Sequence, residues 1–123
     1  MDRIQALHAF WSSFGWAAYD ANTVPSKDLS PGMPRITYSV EVSDFDDPVS
    51  VTVSLWDQTY SWENITKKAD EIHGYIGFGG RIIQFDGGYI WIKRGTPFYT
   101  RMGDPDDTIR RIVMSISLEY FNE

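Results

Sequence analysis

The sequence predicts an α+β domain in which two helices pack on one face of a mainly antiparallel, twisted sheet. Three segments, 36–42, 49–55 and 111–120, alternate apolar and polar residues with a period of two. This alternation is typical of strands that bury one face and expose the other. Two other segments, 2–14 and 62–76, space their apolar residues three and four positions apart, as one side of a helix requires.

The first third of the chain contains one predicted helix and one long connection. The helix spans residues 2–14, and Asp2 stands at its start, where an acidic side chain favours the helix dipole. Its apolar side comprises Ile4, Leu7, Phe10, Trp11 and Phe14. Gly15 follows, and glycine is common just beyond the end of a helix. Residues 20–34 hold three prolines and a glycine, which predicts a connection without secondary structure.

The middle of the chain predicts a pair of strands and the second helix. Strands 36–42 and 49–55 are joined by a loop that carries Phe45 among carboxylates. Ser61 is the expected cap of the helix at 62–76, because serine favours that position. The apolar side of this helix comprises Trp62, Ile65, Ala69, Ile72 and Ile76.

The last third predicts a hairpin of residues 81–85 and 89–93 around Asp86-Gly87-Gly88. Unlike the three alternating strands, this hairpin is apolar on both faces. One of its faces therefore needs a cover that a single subunit does not supply. A short strand at 98–101, the acidic turn Asp104-Pro105-Asp106-Asp107 and the terminal strand complete the order of elements.

The composition is that of an ordinary globular protein, and we expect residues 1–123 to form a single domain with its own core. The net charge is −6 and no basic stripe stands out, so a groove that grips nucleic acid is not expected. The chain lacks cysteine, which excludes disulfides and thiol catalysis. No apolar run has membrane-spanning length, and the start lacks the order of a signal peptide. We therefore expect a protein that is made and kept inside a cell, without membrane contact.

No set of residues predicts a catalytic, metal or cofactor site. His8 and His73 lie on different predicted helices and share no spacing with other candidate groups. The aspartates of loop 43–48 resemble the opening of a calcium loop, but they lack its glycine and distal glutamate, which favours solvated turn carboxylates. Four arginines near the acidic turn fit either surface ion pairs or a charged docking edge. They are Arg94, Arg101, Arg110 and Arg111.

The element order and three segments carry a resemblance to a known family. The segments are Pro34-Arg35-Ile36-Thr37-Tyr38, Trp91-Ile92-Lys93-Arg94-Gly95-Thr96-Pro97-Phe98-Tyr99, and the acidic turn before Arg110-Arg111. Over nearly the whole chain they resemble the tail-terminator or tail-completion proteins of long-tailed bacteriophages, of the lambda type. The resemblance implies a non-enzymatic α+β subunit, without cofactor, of a ring that is typically a hexamer. Such a ring lies at the head-proximal end of the tail.

The resemblance also implies partners and a location. The partners are other copies of the chain, the tail tube protein, whose polymerisation the ring stops, and the head-tail connector protein. DNA passes through the ring without specific binding. The protein would be made in the cytoplasm of a host bacterium and end in the tail or neck of the virion.

Candidate contact residues follow from joining this role to the sequence pattern. Ile83 and Trp91 face opposite sides of the hairpin, so one of them is expected to meet a partner. The candidate interface residues are Phe45, Ile83, Trp91, Arg94, Phe98, Arg101 and Arg110. Basic side chains in the pore would hold phosphates, so we expect acidic groups there. The pore candidates are Asp44, Asp46, Asp47, Asp104, Asp106 and Asp107.

Two alternatives to a tail terminator stay open. One is another neck protein, such as a head-tail joining or stopper protein. The other is a small α+β ligand-binding or hydrolytic domain, with a cavity between helices and sheet. The residues expected to line that cavity are Trp11, Tyr38, Trp56 and Trp62.

Overall fold

The computed structural model describes residues 1–21, 33–40, 47–103 and 108–122. Within these ranges the chain forms two helices and one six-stranded sheet with the order β1-β2-β3-β6-β5-β4. The elements are α1 Arg3–Ser12, β1 Ala17–Asp20, β2 Arg35–Tyr38, β3 Val49–Gln58, α2 Glu63–Ile76, β4 Arg81–Phe85, β5 Gly88–Met102 and β6 Ile109–Asn122. Only β1 and β2 pair in parallel, whereas the other four strand pairs are antiparallel. The predicted α+β fold with a mainly antiparallel sheet is confirmed.

The sheet curls around α1, which contacts both edge strands, β1 and β4. The start of this helix is tied to the turn between β4 and β5. The terminal ammonium of Met1 lies 2.8 Å from the Asp86 carboxylate, and the Asp86 amide donates to the Met1 carbonyl at 2.7 Å. These two contacts attach the start of α1 to the β4 edge of the curled sheet.

The core lies between the inner face of the sheet and the two helices. Along β6, alternate side chains are buried, as the period of two predicts. They are Ile112, Met114, Ile116, Leu118 and Tyr120. This strand lies in the middle of the sheet, between β3 and β5, so its inner face contributes to the centre of the core.

The first helix is present as predicted, but it ends at Ser12 rather than at residue 14, and one predicted core residue is exposed. Asp2 caps it, because its carboxylate accepts from the Gln5 amide at 2.8 Å while the Gln5 side chain accepts from the Asp2 amide at 2.9 Å. Four of the five predicted core residues are buried, namely Leu7, Phe10, Trp11 and Phe14. The expectation for Ile4 is wrong, since it is 51% exposed. Ile4 lies in the first turn, at the rim of an open groove rather than over the sheet.

The second helix buries the predicted side, with Ile65, Ala69, Ile72 and Ile76 in the core. Trp62 occupies the cap position, yet the Ser61 hydroxyl still accepts from the Glu63 amide at 3.0 Å. The helix ends at Gly77, whose φ of 70° favours glycine. Neither this helix nor any other in the described ranges has the length and apolar content needed to cross a membrane.

Three strands differ from the prediction. Strand β2 ends at Tyr38, and residues 39 and 40, which the predicted strand included, form no strand. Strand β1 was not predicted. It lies between the predicted helix and the predicted connection, which it overlaps only at Asp20, and its four residues, Ala-Ala-Tyr-Asp, form no alternating pattern long enough to detect. Strand β5 is continuous from Gly88 to Met102, so it joins the hairpin strand and the short strand that were predicted separately. Its pairing with β6 shifts between Arg94 and Tyr99, where the Thr96–Pro97 peptide bond is cis.

Candidate functional site

The hairpin of β4 and β5 places apolar side chains on both of its faces. On the inner face, Ile83 lies opposite Ile90, and Ile92 is buried beside them. Ile83 is partly buried and packs against the core, as does Phe85. The side chain of Ile83 therefore contributes to the core of its own chain, and its expected role in an interface is not supported by this position.

The outer face of the hairpin is also apolar. Ile82 lies opposite Trp91 in the strand pairing and is 61% exposed. Beside them, Tyr89 lies opposite Phe121, and the two rings stack with centroids 4.8 Å apart and planes inclined by 15°. Of the two hairpin residues predicted to face opposite sides, Trp91 is the one that remains available to a partner.

Trp91 is held in place by contacts from a glycine-rich turn and a lysine. Its indole nitrogen donates to the Gly79 carbonyl at 2.9 Å, and the Lys93 ammonium lies 4.1 Å from the ring centroid. Lys93 also pairs with Glu119 at 3.4 Å. Gly80 allows this packing, because a Cβ there would lie 2.7 Å from the indole nitrogen. The ring therefore presents one defined surface to solvent.

The sequence analysis missed Phe78, which is 99% exposed. It stands next to Gly79, whose carbonyl receives the Trp91 indole. The detectable signal is an aromatic residue between glycines in a turn that ends a helix, since such a position offers few neighbours to bury the ring. We call the apolar residues of this region the hairpin surface. It comprises Phe78, Ile82, Tyr89, Trp91 and Phe121.

Three predicted interface arginines contact aromatic groups of their own chain. Arg94 donates to the ring of His73. The guanidinium groups of Arg101 and Arg110 lie 4.8 and 5.3 Å from the ring centroid of Trp62. Cation–π contacts of this kind contribute about 0.5–1 kcal/mol at exposed sites. The contacts of Arg94, Arg101 and Arg110 described here are within their own chain, and their place in an interface stays a prediction.

Phe98, another predicted interface residue, is half-buried at the bend in β5. Its ring meets the His73 ring edge-on, with centroids 5.0 Å apart, and it packs against the core. Phe98 therefore supports the local packing between β5 and α2.

The remaining predicted contact residues are largely outside the described residues. Phe45 and five of the six pore candidates, Asp44, Asp46, Asp104, Asp106 and Asp107, belong to this group. Asp47 is described and exposed, two residues before the start of β3. The proposed acidic lining of a pore stays a prediction.

The cavity predicted for a ligand-binding domain is not formed, because its four aromatic residues lie on different sides of the sheet. Trp11 and Tyr38 are in the core. Trp56 lies on the outer face, since its neighbour Leu55 points inward. Trp62 begins α2 and is only partly buried. The expectation of one cavity lined by these four residues is therefore wrong.

An open groove of about 710 Å³ instead lies between α1 and the β1 edge. Most of its walls are apolar, and Met1 and Ile4 form its exposed rim. The Tyr38 hydroxyl lies 3.0 Å from Nδ1 of His8 in a hydrogen bond. Burial raises the pKa of Tyr38, and the negative charge of Asp20 raises it further. Tyr38 therefore stays a neutral phenol at physiological pH.

The described residues contain no group of three or more His, Asp or Glu side chains placed to hold a metal ion. The absence of catalysis and of cofactors nevertheless remains a prediction. Comparison of the chain with protein-family models, curated proteins and solved structures finds no match.

Proposed function

We propose that this chain is a structural subunit of a bacteriophage tail and forms a ring, a hexamer, at the head-proximal end. The ring ends polymerisation of the tail tube protein and provides the surface to which the head-tail connector protein joins. The subunit acts without catalysis or cofactor, and DNA passes through the ring without specific binding. Its place is the tail or neck of the virion, after synthesis in the cytoplasm of the host bacterium.

The hairpin surface is the observation that carries this proposal. Large apolar side chains that are exposed together mark protein interfaces, and aromatic residues are enriched there. Phe78 and Ile82 are 99% and 61% exposed. Trp91 lies opposite Ile82 in the strand pairing and donates to the carbonyl of Gly79, the residue next to Phe78. The resemblance of the sequence to tail terminators indicates the kind of assembly, a ring of subunits, that would cover this surface.

The place of the hairpin in the sheet also supports a role in assembly. Strand β4 ends the sheet, and edge strands readily pair with other chains unless something blocks them. Ile82 and Gln84 on this strand are exposed. A neighbouring subunit could therefore extend the sheet and cover the hairpin surface in one contact.

The direct test is a tube-length assay. The protein is co-expressed with the tail tube protein from the same genome, and tubes are measured by electron microscopy. We expect short tubes capped at one end when the chain is present, and tubes of indefinite length when it is absent. Equal tube lengths in the two samples would contradict the proposal.

Matched variants locate the contact. Phe78→Ser combined with Ile82→Ser should abolish capping without lowering the melting temperature, since both side chains are exposed. Tyr60→Ser is the control, because Tyr60 is 74% exposed but lies before α2, outside the hairpin surface. Loss of capping in the control alone would show that the contact lies elsewhere.

A head-tail joining or stopper protein is the neighbouring alternative. Such a protein would bind the connector but leave tube length unchanged, so the same assay separates the two roles.

The groove beside α1 favours a second candidate function, the binding of a small apolar ligand. Its volume is in the range of small-molecule sites, and the pair of His8 and Tyr38 supplies polar groups at its wall. This function would be favoured over tail assembly by a persistent monomer that binds an apolar fluorescent probe. Ala9→Trp, which fills the groove, should abolish binding of the probe.

A further inference from the structure

Two arginines and a tryptophan form a row across the outer face of the sheet, on strands β2, β3 and β6, away from the hairpin of β4 and β5. Arg35 of β2 lies opposite Trp56 of β3, which lies opposite Arg111 of β6. The guanidinium carbon of Arg111 is 4.5 Å from the Trp56 ring centroid, and that of Arg35 is 5.7 Å from it. Two cationic groups therefore flank one indole ring on three adjacent strands.

Small hydroxyl residues fill the next two rows of the same face. Thr37 of β2, Ser39 just after β2, and Thr52 and Ser54 of β3 line a pocket of about 220 Å³ together with the arginines. The Trp56 indole nitrogen donates to the Thr37 hydroxyl at 3.0 Å. These hydroxyls can donate to a bound oxygen atom as readily as they accept.

The charge of Arg111 is not balanced within the described part of the chain. Its Nε and Nη2 atoms donate to the hydroxyl of Ser54 at 3.3 and 3.1 Å, and Ser54 is a neutral acceptor. Arg111 takes part in none of the ion pairs among the described residues. None of the described residues that line the pocket is acidic. Among the described residues, the lining of the pocket thus includes two cationic side chains and no acidic one, on a chain whose net charge is −6.

We propose that this pocket binds a single tetrahedral oxyanion, namely a phosphate group. A guanidinium group can donate two parallel hydrogen bonds to two oxygens of one phosphate. The hydroxyl rows add donors for the remaining phosphate oxygens, which a carboxylate does not have. The pocket volume suits one such group. The negative charge of the whole chain disfavours a polyanion such as duplex DNA. This site is separate from the hairpin surface and does not depend on the ring.

The test is a titration of the intact protein with inorganic phosphate in a phosphate-free chloride buffer, followed by the indole N–H signals in NMR. We expect a saturable shift of the Trp56 signal and little change at Trp91. Arg111→Gln should weaken the apparent affinity at least tenfold. Arg111→Lys, which keeps the charge but loses the paired donors, should weaken it less.

Arg81→Gln is the matched control, because Arg81 also stacks on an aromatic ring, that of Tyr75 at 4.4 Å, but donates to a backbone carbonyl. Its affinity for phosphate should equal that of the natural chain. Melting temperatures of all variants establish that they fold. A wild-type chain without a saturable shift, or an equal loss in the Arg81 and Arg111 variants, would overturn the proposal.

Three further probes identify the class of anion. Sulfate should bind like phosphate, adenosine monophosphate should bind through its phosphate group, and acetate should bind more weakly. Acetate binding as tight as phosphate binding would overturn the tetrahedral assignment. Tight binding of duplex DNA that is lost in Arg111→Gln would overturn the assignment to a single anion.

Discussion

The outer face of the sheet has two unlike halves, and strand β6 passes through both. Where β6 begins, it pairs with β3 and presents Arg111 beside Trp56 and a bed of hydroxyls. Where it ends, it pairs with the start of β5 and presents Phe121 stacked on Tyr89. The inner face is apolar in both halves wherever it forms the core, and the buried Asp57 lies near the end of β3. The outer face does not form the core, so its residue types indicate what kind of partner each half would bind.

The two halves differ in how much apolar side-chain surface they expose to water. The hydroxyls of Thr37 and Ser54 are buried but hydrogen-bonded to Trp56 and Arg111, so the polar half does not need an apolar cover. The hairpin surface leaves Phe78 and Ile82 in water, and each Å² of apolar surface that is later covered contributes about 25 cal/mol. Only the apolar half therefore gains hydrophobic free energy by associating with another chain.

The largest expected effect contrasts the two faces of the hairpin itself. Ile90→Ala removes a side chain that is 0% exposed and should lower the free energy of unfolding by about 2–5 kcal/mol. Ile82→Ala, on the outer face, should lower it by less than about 0.5 kcal/mol. Urea denaturation of both variants measures this difference. Equal losses would mean that the outer face is buried in the free subunit.

Gly80→Ala should disturb the apolar half alone. The φ of Gly80 is 81°, and a Cβ would lie 2.6 Å from the Ile92 carbonyl oxygen. Strain of this kind costs of order 1–3 kcal/mol, and here it also displaces the ring of Trp91. Gly87→Ala is the matched control, because Gly87 has a φ of 94° but open space around it. Indole NMR signals should change at Trp91 and stay constant at Trp56.

High pH should weaken the inner face at both ends of the sheet. Burial raises the pKa of Tyr38 and of Tyr120 above the ordinary value of 10.0. In the unfolded chain these phenols ionise near that ordinary value, so their contribution is complete below pH 10.0 and is lost as the pH rises toward the folded-state pKa. Chemical denaturation at several alkaline pH values measures the slope. Tyr120→Phe should flatten it, and an unchanged slope in this variant would exclude the mechanism for Tyr120.

Periodicity alone predicted the inner face well, because each strand there must alternate to bury one side. The prediction failed where a strand was too short to show a pattern or where a residue lay beyond the edge of the core. Strand β1 is too short to show alternation, and Ile4 continues the helical spacing beyond the edge of the core. These failures concern the ends of elements, where few neighbours fix a residue.

The functional surfaces were only partly predictable. Both apolar faces of the hairpin were visible in one short segment, so the sequence indicated that either Ile83 or Trp91 meets a partner, but not which of the two. The pairing of Trp56 with Arg111 could not, since it depends on the register between strands that are distant in the chain. Phe78 was hidden because a residue in a turn has no periodicity.

The smallest expected effect is the sharpest comparison of the two halves, because each contains one equivalent tryptophan. The Trp56 indole donates to Thr37 at 3.0 Å and has a cation 4.5 Å from its centroid. Trp91 donates to Gly79 at 2.9 Å and has a cation at 4.1 Å. Trp56→Phe and Trp91→Phe each remove one such hydrogen bond, which contributes about 0.5–1.5 kcal/mol. Urea denaturation should therefore give similar losses for the two variants.

The two variants should differ in function although they resemble each other in stability. Trp91→Phe should weaken capping in the tube-length assay, since its ring lies in the hairpin surface, and leave phosphate binding unchanged. Trp56→Phe should do the reverse, because its indole N–H orients Thr37 beside the arginines. Since this variant lacks the Trp56 signal, titration calorimetry measures its phosphate binding. If both variants impaired capping equally, the outer face would act as one continuous contact, and the division into an assembling half and an anion-binding half would fail.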